Sequence, residues 1–391
     1  MKIQRGKVLL SAVIILSMLL SVVLFPPFAK TVNAGVVASG SCGDKVSYEL
    51  DNTGKLTISG EGPMYDYKSY GSNLSPFYDD DDIKSIVIKS GVTSIGEYSF
   101  ENCKNLTSVT IPSSVTLIGR DAFYNNSSLQ SVTIPNGVKA IKLYTFYGCS
   151  ELTSVTIPNS VTSIDYCAFG CCGLTSVTIP SSVTSLDPQA FASGLVSINV
   201  DSNNPNYCSE NGIVFNKDKT KLITFPNGKT DTSYTIPSTV TSIGESAFNS
   251  CYNLTSVTIP DGVTTIGAYA FSYCNDLKKV VIPESVNEIG YAAFNECPVT
   301  IYCVAGSYAR TYAETNGIPF KGANVVKFGT CGTDVSYELD DAGILTISGT
   351  GPMKNYTSTS SPFYNDSSIK EVIIESGVTS IGYFNFLSVI I

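Results

Sequence analysis

The sequence predicts a mostly β solenoid in which short coils of similar sequence stack on one another, and two periodic signals carry this prediction. The first signal is an Ile-Pro pair whose successive copies are 23, 23, 22, 57, 23 and 23 residues apart. The second is a phenylalanine that keeps the same period. Repeats of about 20–50 residues are typical of stacked, quasi-one-dimensional folds. The pairs are Ile111-Pro112, Ile134-Pro135, Ile157-Pro158, Ile179-Pro180, Ile236-Pro237, Ile259-Pro260 and Ile282-Pro283, and the phenylalanines are Phe100, Phe123, Phe146, Phe169, Phe191, Phe248, Phe271 and Phe294.

Each repeat unit predicts two extended segments. Val109 and Ile111 alternate with polar residues, as in a half-buried strand, and Pro112 ends the ladder because it has no N–H group. In the second segment Val115 and Ile118 are expected to point inward. One such coil buries too little apolar surface to fold alone, so the units are expected to share a core with their neighbours.

Small residues recur at two places in the unit. A glycine follows the second segment in most units, and a turn that tolerates a positive φ would explain this preference. The residue before each phenylalanine is always small, which predicts close packing of one coil on the next. The glycines are Gly96, Gly119, Gly244, Gly267 and Gly290, and the small residues are Ser99, Ala122, Thr145, Ala168, Ala190, Ala247, Ala270 and Ala293.

One step of the repeat measures 57 residues rather than 23, and the extra segment lies within residues 193–234. Two apolar runs in this segment, residues 212–215 and 221–225, are separated by the polar residues 216–220. Two short apolar runs around a polar turn are typical of a β-hairpin. We therefore predict a hairpin that projects from the solenoid.

The segment before the array recurs near the end of the chain, because residues 42–100 match residues 331–386. Both copies contain the motifs Ser-Tyr-Glu-Leu and Ser-Pro-Phe-Tyr. The exposed end of a solenoid needs a cap that covers its core and its strand edge. We predict that residues 35–82 form a β-hairpin N-terminal cap and that residues 83–300 form the array.

The pattern changes after the last repeat phenylalanine. Residues 307–316 have helical character and precede Gly317, a residue suited to a helix C-terminus, so residues 301–322 are predicted to form a short helical C-terminal cap. We predict that residues 323–330 are a linker and that residues 331–391 form a second cap with the start of an incomplete second array. A truncated gene, or a fragment of a longer tandem protein, is the expected origin of that ending.

The first 34 residues have the composition of a secretory signal peptide. Lys2, Arg5 and Lys7 precede the apolar residues 8–25, and small residues at the end of the segment suit cleavage after Ala34. The alternative is a retained membrane anchor, for which the apolar run is long enough. Apart from this segment we expect no association with a membrane.

Composition excludes several classes of function. The chain carries 24 basic and 33 acidic residues, and cleavage would remove four of the basic ones, which leaves a net charge of −13. An acidic surface disfavours nucleic acids and anionic lipids as partners. The sequence contains no histidine, which excludes Ser-His-Asp and Cys-His catalysis. It shows no convergent carboxylate pair and no Gly-rich phosphate loop, so we expect neither an enzyme nor a cofactor.

Six of the twelve cysteines stand three residues after a repeat phenylalanine. Exported proteins often pair their cysteines, and a metal site is a second alternative. The regular placement favours a buried row of free thiols that act as small apolar side chains. The aspartates at residues 79–82 lack EF-hand spacing and are interpreted as a solvated loop, so no metal site is expected. The six cysteines are Cys103, Cys149, Cys172, Cys251, Cys274 and Cys297.

Two sets of side chains are candidates for ligand binding. Outward positions of the first strand form a row of hydroxyl groups, which either bind a ligand or are simply tolerated on an exposed sheet. The hydroxyl row consists of Ser108, Thr110, Ser131, Thr133, Ser154, Thr156, Ser176, Thr178, Ser256, Thr258 and, at its end, Lys279. Tyrosines near the phenylalanine turn suit contact with proteins or sugars. They are Tyr98, Tyr124, Tyr144, Tyr147, Tyr269 and Tyr273.

The consensus L-x-x-V-x-I-P-x-x-V-x-x-I-G-x-x-A-F-x-x-C resembles the BspA-type leucine-rich repeat of bacterial surface proteins, over about residues 42–386. The resemblance implies a curved α/β leucine-rich-repeat solenoid, mostly β, with the hydroxyl row on its concave face. It also implies surface display and the binding of host proteins or other ligands, and it supplies no catalytic residues. The sequence shows no sorting signal or wall-binding module, so the mode of anchoring stays open.

Together these observations predict a non-catalytic, secreted or cell-surface protein for binding or adhesion. Its expected partners are host or extracellular-matrix proteins, with glycans as a second class of ligand, and they contact the repeat-lined surface. Two alternatives stay open at this point. One is a carbohydrate-binding accessory module of a larger, truncated extracellular protein, and the other is a truncated product without function.

Overall fold

The computed structural model describes residues 35–191, 194–304, 306–322, 325–357, 359–383 and 385–386. Within these residues the chain is a β-solenoid of about 12 turns with one short helix, which confirms the predicted fold class. The predicted signal segment lies outside the described residues. No helix in the described part of the chain is long and apolar enough to cross a bilayer.

The N-terminal cap is an antiparallel meander of three strands, one more than a hairpin contains. Its strands are β1 (Val36–Gly43), β2 (Val46–Asp51) and β3 (Lys55–Gly60). The third strand pairs in parallel with residues 85–88, the first strand of the array, so the cap covers the array's hydrogen-bonding edge. Tyr48 packs edge-on against Phe77, with ring centroids 4.9 Å apart, and so closes the end of the core.

Most coils contribute two short strands, one in the first and one in the second of the predicted extended segments, and the two kinds of strand pair in parallel in separate ladders. In the first ladder Val109 lies opposite Val132, and in the second Ile95 lies opposite Ile118. All four side chains are buried, as the alternation predicts. The strands of this part are β4 (Gly62–Pro63), β5 (Ser85–Ile88), β6 (Val92–Ile95), β7 (Ser108–Thr110), β8 (Leu117–Ile118), β9 (Ser131–Val132), β10 (Ala140–Ile141), β11 (Ser163–Ile164), β12 (Ser176–Ile179), β13 (Ser185–Leu186) and β14 (Ser197–Val200).

The repeat phenylalanines stack in a column through the core. Successive ring centroids from Phe77 to Phe191 are 5.3–5.5 Å apart. A second run, from Phe225 to Phe294, has spacings of 4.8–5.3 Å. The small residues that precede the repeat phenylalanines are fully buried, which confirms the predicted close packing of the coils.

The repeat glycines have a different role from the predicted one. Neither Gly119 nor Gly267 has a positive φ. A Cβ atom would lie 2.5 Å from the backbone nitrogen of Glu97 at Gly119, and 2.5 Å from that of Glu245 at Gly267. The positive-φ interpretation is therefore wrong, because glycine is needed where adjacent coils approach closely. Positive φ occurs two residues further on, as at Tyr269 (φ 54).

The inserted segment is an antiparallel meander that lies inside the solenoid. Its strands are β15 (Tyr207–Glu210), β16 (Ile213–Asn216) and β17 (Lys221–Thr224). β17 pairs in parallel with residues 242–243 of the next coil. Val214 packs into the core that precedes the insert, whereas Phe215 packs into the core that follows it.

The insert is therefore not a projecting hairpin, as predicted, but a layer of strands packed between two parts of the solenoid core. The run Ile213-Val214-Phe215 is apolar at successive positions, so both faces of the strand require burial. We call the region around β15–β17 the joint, because it separates a first half of the solenoid from a second half. Each half has its own core of buried apolar side chains.

The second half ends in the predicted helical cap. The Arg310 N–H group donates a hydrogen bond of 3.3 Å to the Ser307 side chain at the helix start, and Gly317 ends the helix with φ 66. Ala309 and Ala313 are its buried residues. The elements of this half are β18 (Ser233–Thr235), β19 (Ser242–Ile243), β20 (Ser256–Thr258), β21 (Thr265–Ile266), β22 (Lys279–Val281), β23 (Glu288–Ile289), β24 (Thr300–Cys303), α1 (Tyr308–Asn316) and β25 (Phe320–Gly322).

The recurring segment folds as a second copy of the N-terminal cap. Its strands are β26 (Val325–Thr330), β27 (Val335–Asp340), β28 (Ile344–Gly349), β29 (Gly351–Pro352), β30 (Glu371–Ile374) and β31 (Val378–Ser380). β26 pairs antiparallel with β27, so residues 325–330 of the predicted linker are corrected to the edge strand of this second cap. Ile374 and Ile381 are 37% and 56% exposed, whereas the matching Ile88 and Ile95 of the first copy are buried beneath the array.

Candidate functional site

The predicted hydroxyl row lies on the solvent side of the first ladder, and the parallel register aligns its members from coil to coil. Ser108 lies opposite Ser131. Further along the chain, Ser256 lies opposite Lys279. Ser256 is half-buried, and the other members are exposed: Ser108, Thr110, Ser131, Thr133, Ser154, Thr156, Ser176, Thr178, Thr258 and Lys279. The expectation that this row lines a concave face stays a prediction.

The hydroxyl row is interrupted at two places. The described sheets contain no pairing between residues 153–157 and β12, although Thr156 still pairs with Thr133 of the preceding coil. The second interruption is the joint, where the ladder that ends at β14 is separate from the ladder that begins at β18. The row therefore forms one long patch with an opening near its end, and a second patch beyond the joint.

A groove of about 470 Å³ lies at the first opening of the ladder. Residues 153–157 and 176–178 line it, together with Asn159 and Asp201. A neighbouring depression of about 630 Å³ shares Thr156 with this groove. We call the first of these the row groove. The predicted row members that line it are Ser154, Thr156, Ser176 and Thr178.

Four further polar residues extend the row and were not predicted. Ser197 and Asn199 continue it on β14, opposite members of β12. Ser233 and Thr235 begin the second patch on β18, opposite members of β20. They lie at the edges of the insert, where the Ile-Pro spacing is lost. The alternation in Ser-Ile-Asn-Val and Ser-Tyr-Thr-Ile was the available signal.

Lys279 differs chemically from the other members of the row. Its Nζ atom lies 4.6 Å from the ring centroid of Tyr302, within the range of a cation–π contact. Tyr302 belongs to β24 and lies opposite Val281 of the preceding coil. Lys279 therefore adds one positive charge, held against an aromatic ring, to the predicted row.

The tyrosines that precede the joint form a cluster of touching rings. Tyr124 stacks on Tyr147 with ring centroids 5.2 Å apart, and Tyr144 meets both rings edge-on. Tyr166, which was not predicted, meets Tyr144 at 5.6 Å. Tyr98 lies apart from this cluster, with the Arg120 guanidinium 5.2 Å from its ring centroid.

A cleft of about 580 Å³ spans the joint, and we call it the tyrosine cleft. Tyr147 and Tyr166 line it from the first half, while Tyr252, Tyr269 and Tyr273 line it from the second half. The polar residues in its wall are Gln189, Asn227, Glu245, Asn249 and Ser250. Repeat periodicity could not predict this grouping, because the joint brings together residues that are distant in sequence.

Several tyrosines extend from strained turn positions. Tyr98, Tyr144 and Tyr269 each have φ 54, and Tyr273 has φ 58. Bulky side chains are uncommon in this left-handed region because their Cβ atoms crowd the backbone. Hydrogen bonds between the turns of adjacent coils hold the backbone in this conformation. The Tyr269 N–H, for example, donates to the Tyr291 carbonyl at 3.0 Å. The turn thus fixes the points from which these rings extend.

Five of the six repeat cysteines are buried, and their thiols hydrogen-bond to the neighbouring coil. The Cys149 thiol donates to the Phe123 carbonyl at 3.3 Å. Asn126 occupies the same repeat position, and its Nδ2 atom donates to the Phe100 carbonyl at 2.9 Å. Burial raises the pKa of the Cys172 thiol to about 12, which disfavours a nucleophilic thiolate. This geometry supports the interpretation of structural free thiols.

Two buried carboxyl groups lie near the first coils, away from both candidate surfaces. Burial raises the pKa of the Asp121 carboxyl to about 6. Burial also raises the pKa of Glu101, whose Oε1 atom accepts a hydrogen bond of 2.8 Å from the Ser69 hydroxyl. Neither carboxyl group lines the row groove or the tyrosine cleft. They therefore supply no acid–base pair to either surface.

Comparison with known proteins identifies the repeat. Residues 73–197 and 208–307, more than half of the chain, match the model of the BspA type leucine rich repeat region in 6 copies. The two matched stretches lie on either side of residues 198–207, at the start of the inserted segment. No curated protein sequence matches the chain.

Solved structures share the fold. A leucine-rich repeat protein from Eubacterium ventriosum has 29% sequence identity and a TM-score of 0.61, with 90% of this chain and 91% of that chain covered. The pneumococcal vaccine antigen PcpA has 18% identity and a TM-score of 0.51, with 89% and 99% covered. The latter similarity shows the fold alone. From its repeat match and its stacked coils, the chain belongs to the BspA-type leucine-rich-repeat family.

Proposed function

We propose that this protein is a non-catalytic binding or adhesion protein, secreted or displayed at the cell surface, that holds host or extracellular-matrix proteins on its hydroxyl row. Membership of a leucine-rich-repeat family supports a binding role, since solenoids present long surfaces to their partners. The absence of histidine from the sequence and the buried state of most repeat thiols argue against catalysis. The acidic balance of charge disfavours nucleic acids.

The row groove is the observation that carries this proposal. Hydroxyl groups both donate and accept hydrogen bonds, so a row of them suits the main chain of a protein ligand. The ladder does not pair residues 153–157 with β12, so an extended segment of the ligand that lies across the groove would meet main-chain groups that are not paired across this opening. The Thr156 and Thr178 hydroxyl groups, which line the groove, would contact that segment.

A binding assay with a groove variant tests the proposal. The full chain would be immobilised and titrated with a panel of purified extracellular-matrix proteins. Thr156→Arg fills the groove and is expected to weaken binding of the matching partner at least about tenfold, or about 1.4 kcal/mol. Thr116→Arg is the matched control, because Thr116 is exposed two coils before Thr156 and does not line the groove.

Two results would contradict the proposal. One is that no matrix protein binds the full chain. The other is that Thr156→Arg and Thr116→Arg bind a captured partner equally well. A glycan array run beside the protein panel tests the carbohydrate-module alternative, which binding to sugars alone would favour.

A further inference from the structure

We propose that the tyrosine cleft is a second, independent binding site and that its ligand is a neutral oligosaccharide. The cleft lies at the phenylalanine turns, whereas the hydroxyl row lies on the strands before the prolines. The inference therefore concerns a different side of the coil from the proposed protein-binding surface. Its support comes from the origin of the cleft, from its aromatic walls and from its polar groups.

The cleft exists because the joint interrupts the phenylalanine column. Phe169 stacks on Phe191 before the joint, and Phe225 stacks on Phe248 after it. Between Phe191 and Phe225 the described rings make no stacking contact, and a cavity of about 30 Å³ lies there instead. This volume is large enough to hold a water molecule. The cleft lies beside this cavity, because Gln189, Asn227 and Asn249 line both.

Aromatic rings form both walls of the cleft. Tyr252 and Tyr273 are 49% and 48% exposed, and no ring contact is described for either. On the opposite wall Tyr147 is held in place by its stack on Tyr124. Sugar rings present flat C–H faces, which pack well against tyrosine rings while the phenol group reaches a hydroxyl group. A cleft of about 580 Å³ falls in the usual range for ligand sites of about 300–1,000 Å³.

The polar groups of the cleft suit a ligand rich in hydroxyl groups. The Asn227 Oδ1 atom is buried and has no hydrogen-bond partner in the described structure, and Asn227 lines both the small cavity and the cleft. A buried acceptor without a partner is costly, so a donor from a ligand or a water molecule would be favourable there. Gln189, which donates to the Ser246 hydroxyl at 2.9 Å, ties the two halves together beside it.

The charge of the cleft selects against anionic sugars. Glu245 is the charged residue of the lining, and no ion pair is described for it. No lysine or arginine is among the lining residues. Sialylated or sulfated glycans would therefore place an unpaired negative charge beside a carboxylate. The amide groups of Asn227 and Asn249, in contrast, can donate and accept, as neutral sugar hydroxyl groups require.

A glycan array with neutral, sialylated and sulfated oligosaccharides, together with a lysine-rich peptide, tests this assignment on the full chain. Bound sugars would then be titrated by tyrosine fluorescence, which no tryptophan masks because the sequence contains none. Tyr252→Ala is expected to weaken binding at least about tenfold, because it removes an exposed stacking surface. Tyr70→Ala is the matched control, since Tyr70 is 81% exposed on the N-terminal cap.

The proposal holds if neutral oligosaccharides bind, if Tyr252→Ala weakens that binding and if Tyr70→Ala does not. It is overturned if no neutral sugar binds, if the lysine-rich peptide binds in their place, or if both variants bind sugar equally. Unchanged melting temperatures of the variants would exclude misfolding as the cause. Thr156→Arg should leave sugar binding intact, so failure of this site and failure of the hydroxyl-row proposal are distinguishable.

Discussion

Single side chains are limited in size wherever one coil meets the next. The repeat glycines were assigned to a turn from the sequence, because a preference for glycine usually indicates a positive φ. The structure shows that a Cβ atom at Gly267 would meet backbone atoms of Glu245 and Gly244 at 2.5–2.6 Å. Such contacts join residues about one coil apart, so no local pattern in the sequence reports them. The same limit explains the alanines before the phenylalanines, which the sequence did predict.

Gly267→Ala is expected to destabilise the protein by about 1–3 kcal/mol, because the new methyl group forces two backbones apart. Gly262→Ala is the control, since its Cβ atom would find its nearest neighbours at 3.6 Å and 3.7 Å and its φ is not positive. This control should be neutral or slightly stabilising, as it restricts the unfolded chain. Urea unfolding monitored by circular dichroism measures the stability of the two variants. Equal midpoints would contradict the explanation that the coils approach closely at Gly267.

The neighbouring residues Cys171 and Cys172 should differ sharply in reactivity. Cys171 is exposed, whereas Cys172 is buried and donates to the Phe146 carbonyl at 3.1 Å. Burial raises the pKa of Cys172 to about 12, so at pH 8 the protonated thiol predominates. Alkylation of the native protein at pH 8, mapped by mass spectrometry, should modify Cys171 and spare Cys172. After denaturation both should react, and equal labelling of the native protein would disprove the buried thiol row.

Asp121 should make stability fall as the pH rises through the acidic range. Burial raises the pKa of its carboxyl from an ordinary value near 3.8 to about 6, so the folded state binds the proton more tightly than the unfolded state. The resulting stabilisation is present below about pH 4 and is lost as the pH rises to about 6. Asp121→Asn should therefore be more stable than the wild type at pH 7 and similar to it at pH 4.

Urea midpoints at the two pH values measure this effect. Asparagine tolerates the positive φ of 54 at this position, so the substitution changes the charge and leaves the turn intact. Carboxyl groups far from Asp121 contribute equally to both proteins and cancel in the comparison, whereas Glu97 and Glu101 interact with its charge. A difference between the variant and the wild type that does not change with pH would count against the assigned pKa.

Elements formed from regular repeats could be predicted, and the element that breaks the repeat could not. The two apolar runs of the insert correctly indicated antiparallel strands at 213–216 and 221–224. Their location was wrong, because two apolar runs around a polar turn indicate a hairpin without showing whether it projects or stacks. The consecutive apolar residues Ile213, Val214 and Phe215 were the signal that both faces are covered.

Phe215→Ala tests whether the inserted meander is structural. If β16 packs between the two cores, this substitution should cost about 3–5 kcal/mol through lost burial and a residual cavity. Asp218→Ala, in the exposed turn between β16 and β17, should change the stability by less than about 0.5 kcal/mol. Thermal unfolding measures both variants. A small effect at Phe215 would restore the projecting hairpin.

At the scale of the whole molecule, the two halves are expected to respond separately to a local defect. The buried side chains form distinct cores before and after the joint, and each coil contacts chiefly its neighbours. The free energy of unfolding of such arrays is nearly a sum of local terms, so a destabilising substitution affects only a few coils around it. The joint should stop that spread, because the phenylalanine column is interrupted there.

Phe146→Ala is expected to increase hydrogen exchange at nearby turn amides, such as that of Phe123 in the preceding coil and that of Gly148 in the same coil, each of which bonds to the coil that follows it. The amides of Phe248 and Phe271 in the second half should keep their protection. Hydrogen–deuterium exchange with mass spectrometry reads both regions in one experiment. Uniform loss of protection across the chain would show that the molecule unfolds as a single cooperative unit.

The two candidate surfaces differ in how far sequence could locate them. The hydroxyl row follows from strand alternation, which fixes the side on which Ser108 and its counterparts lie. The row groove does not follow from strand alternation, because it depends on an opening of the ladder after residues 153–157. The tyrosine cleft was visible only as a scatter of rings. Its opposing walls, with Tyr166 and Tyr252 on different halves, need the joint to bring them together.

The register of the first ladder affects how many equivalent positions a ligand could occupy on the hydroxyl row. Adjacent parallel strands repeat at about 4.8 Å, and each step presents nearly the same pair of hydroxyl groups. A ligand displaced by one strand, from Ser108 to Ser131, would meet equivalent chemistry. Several overlapping footprints of similar energy would therefore coexist, which raises the statistical weight of the bound state and lets a tethered ligand shift without full release.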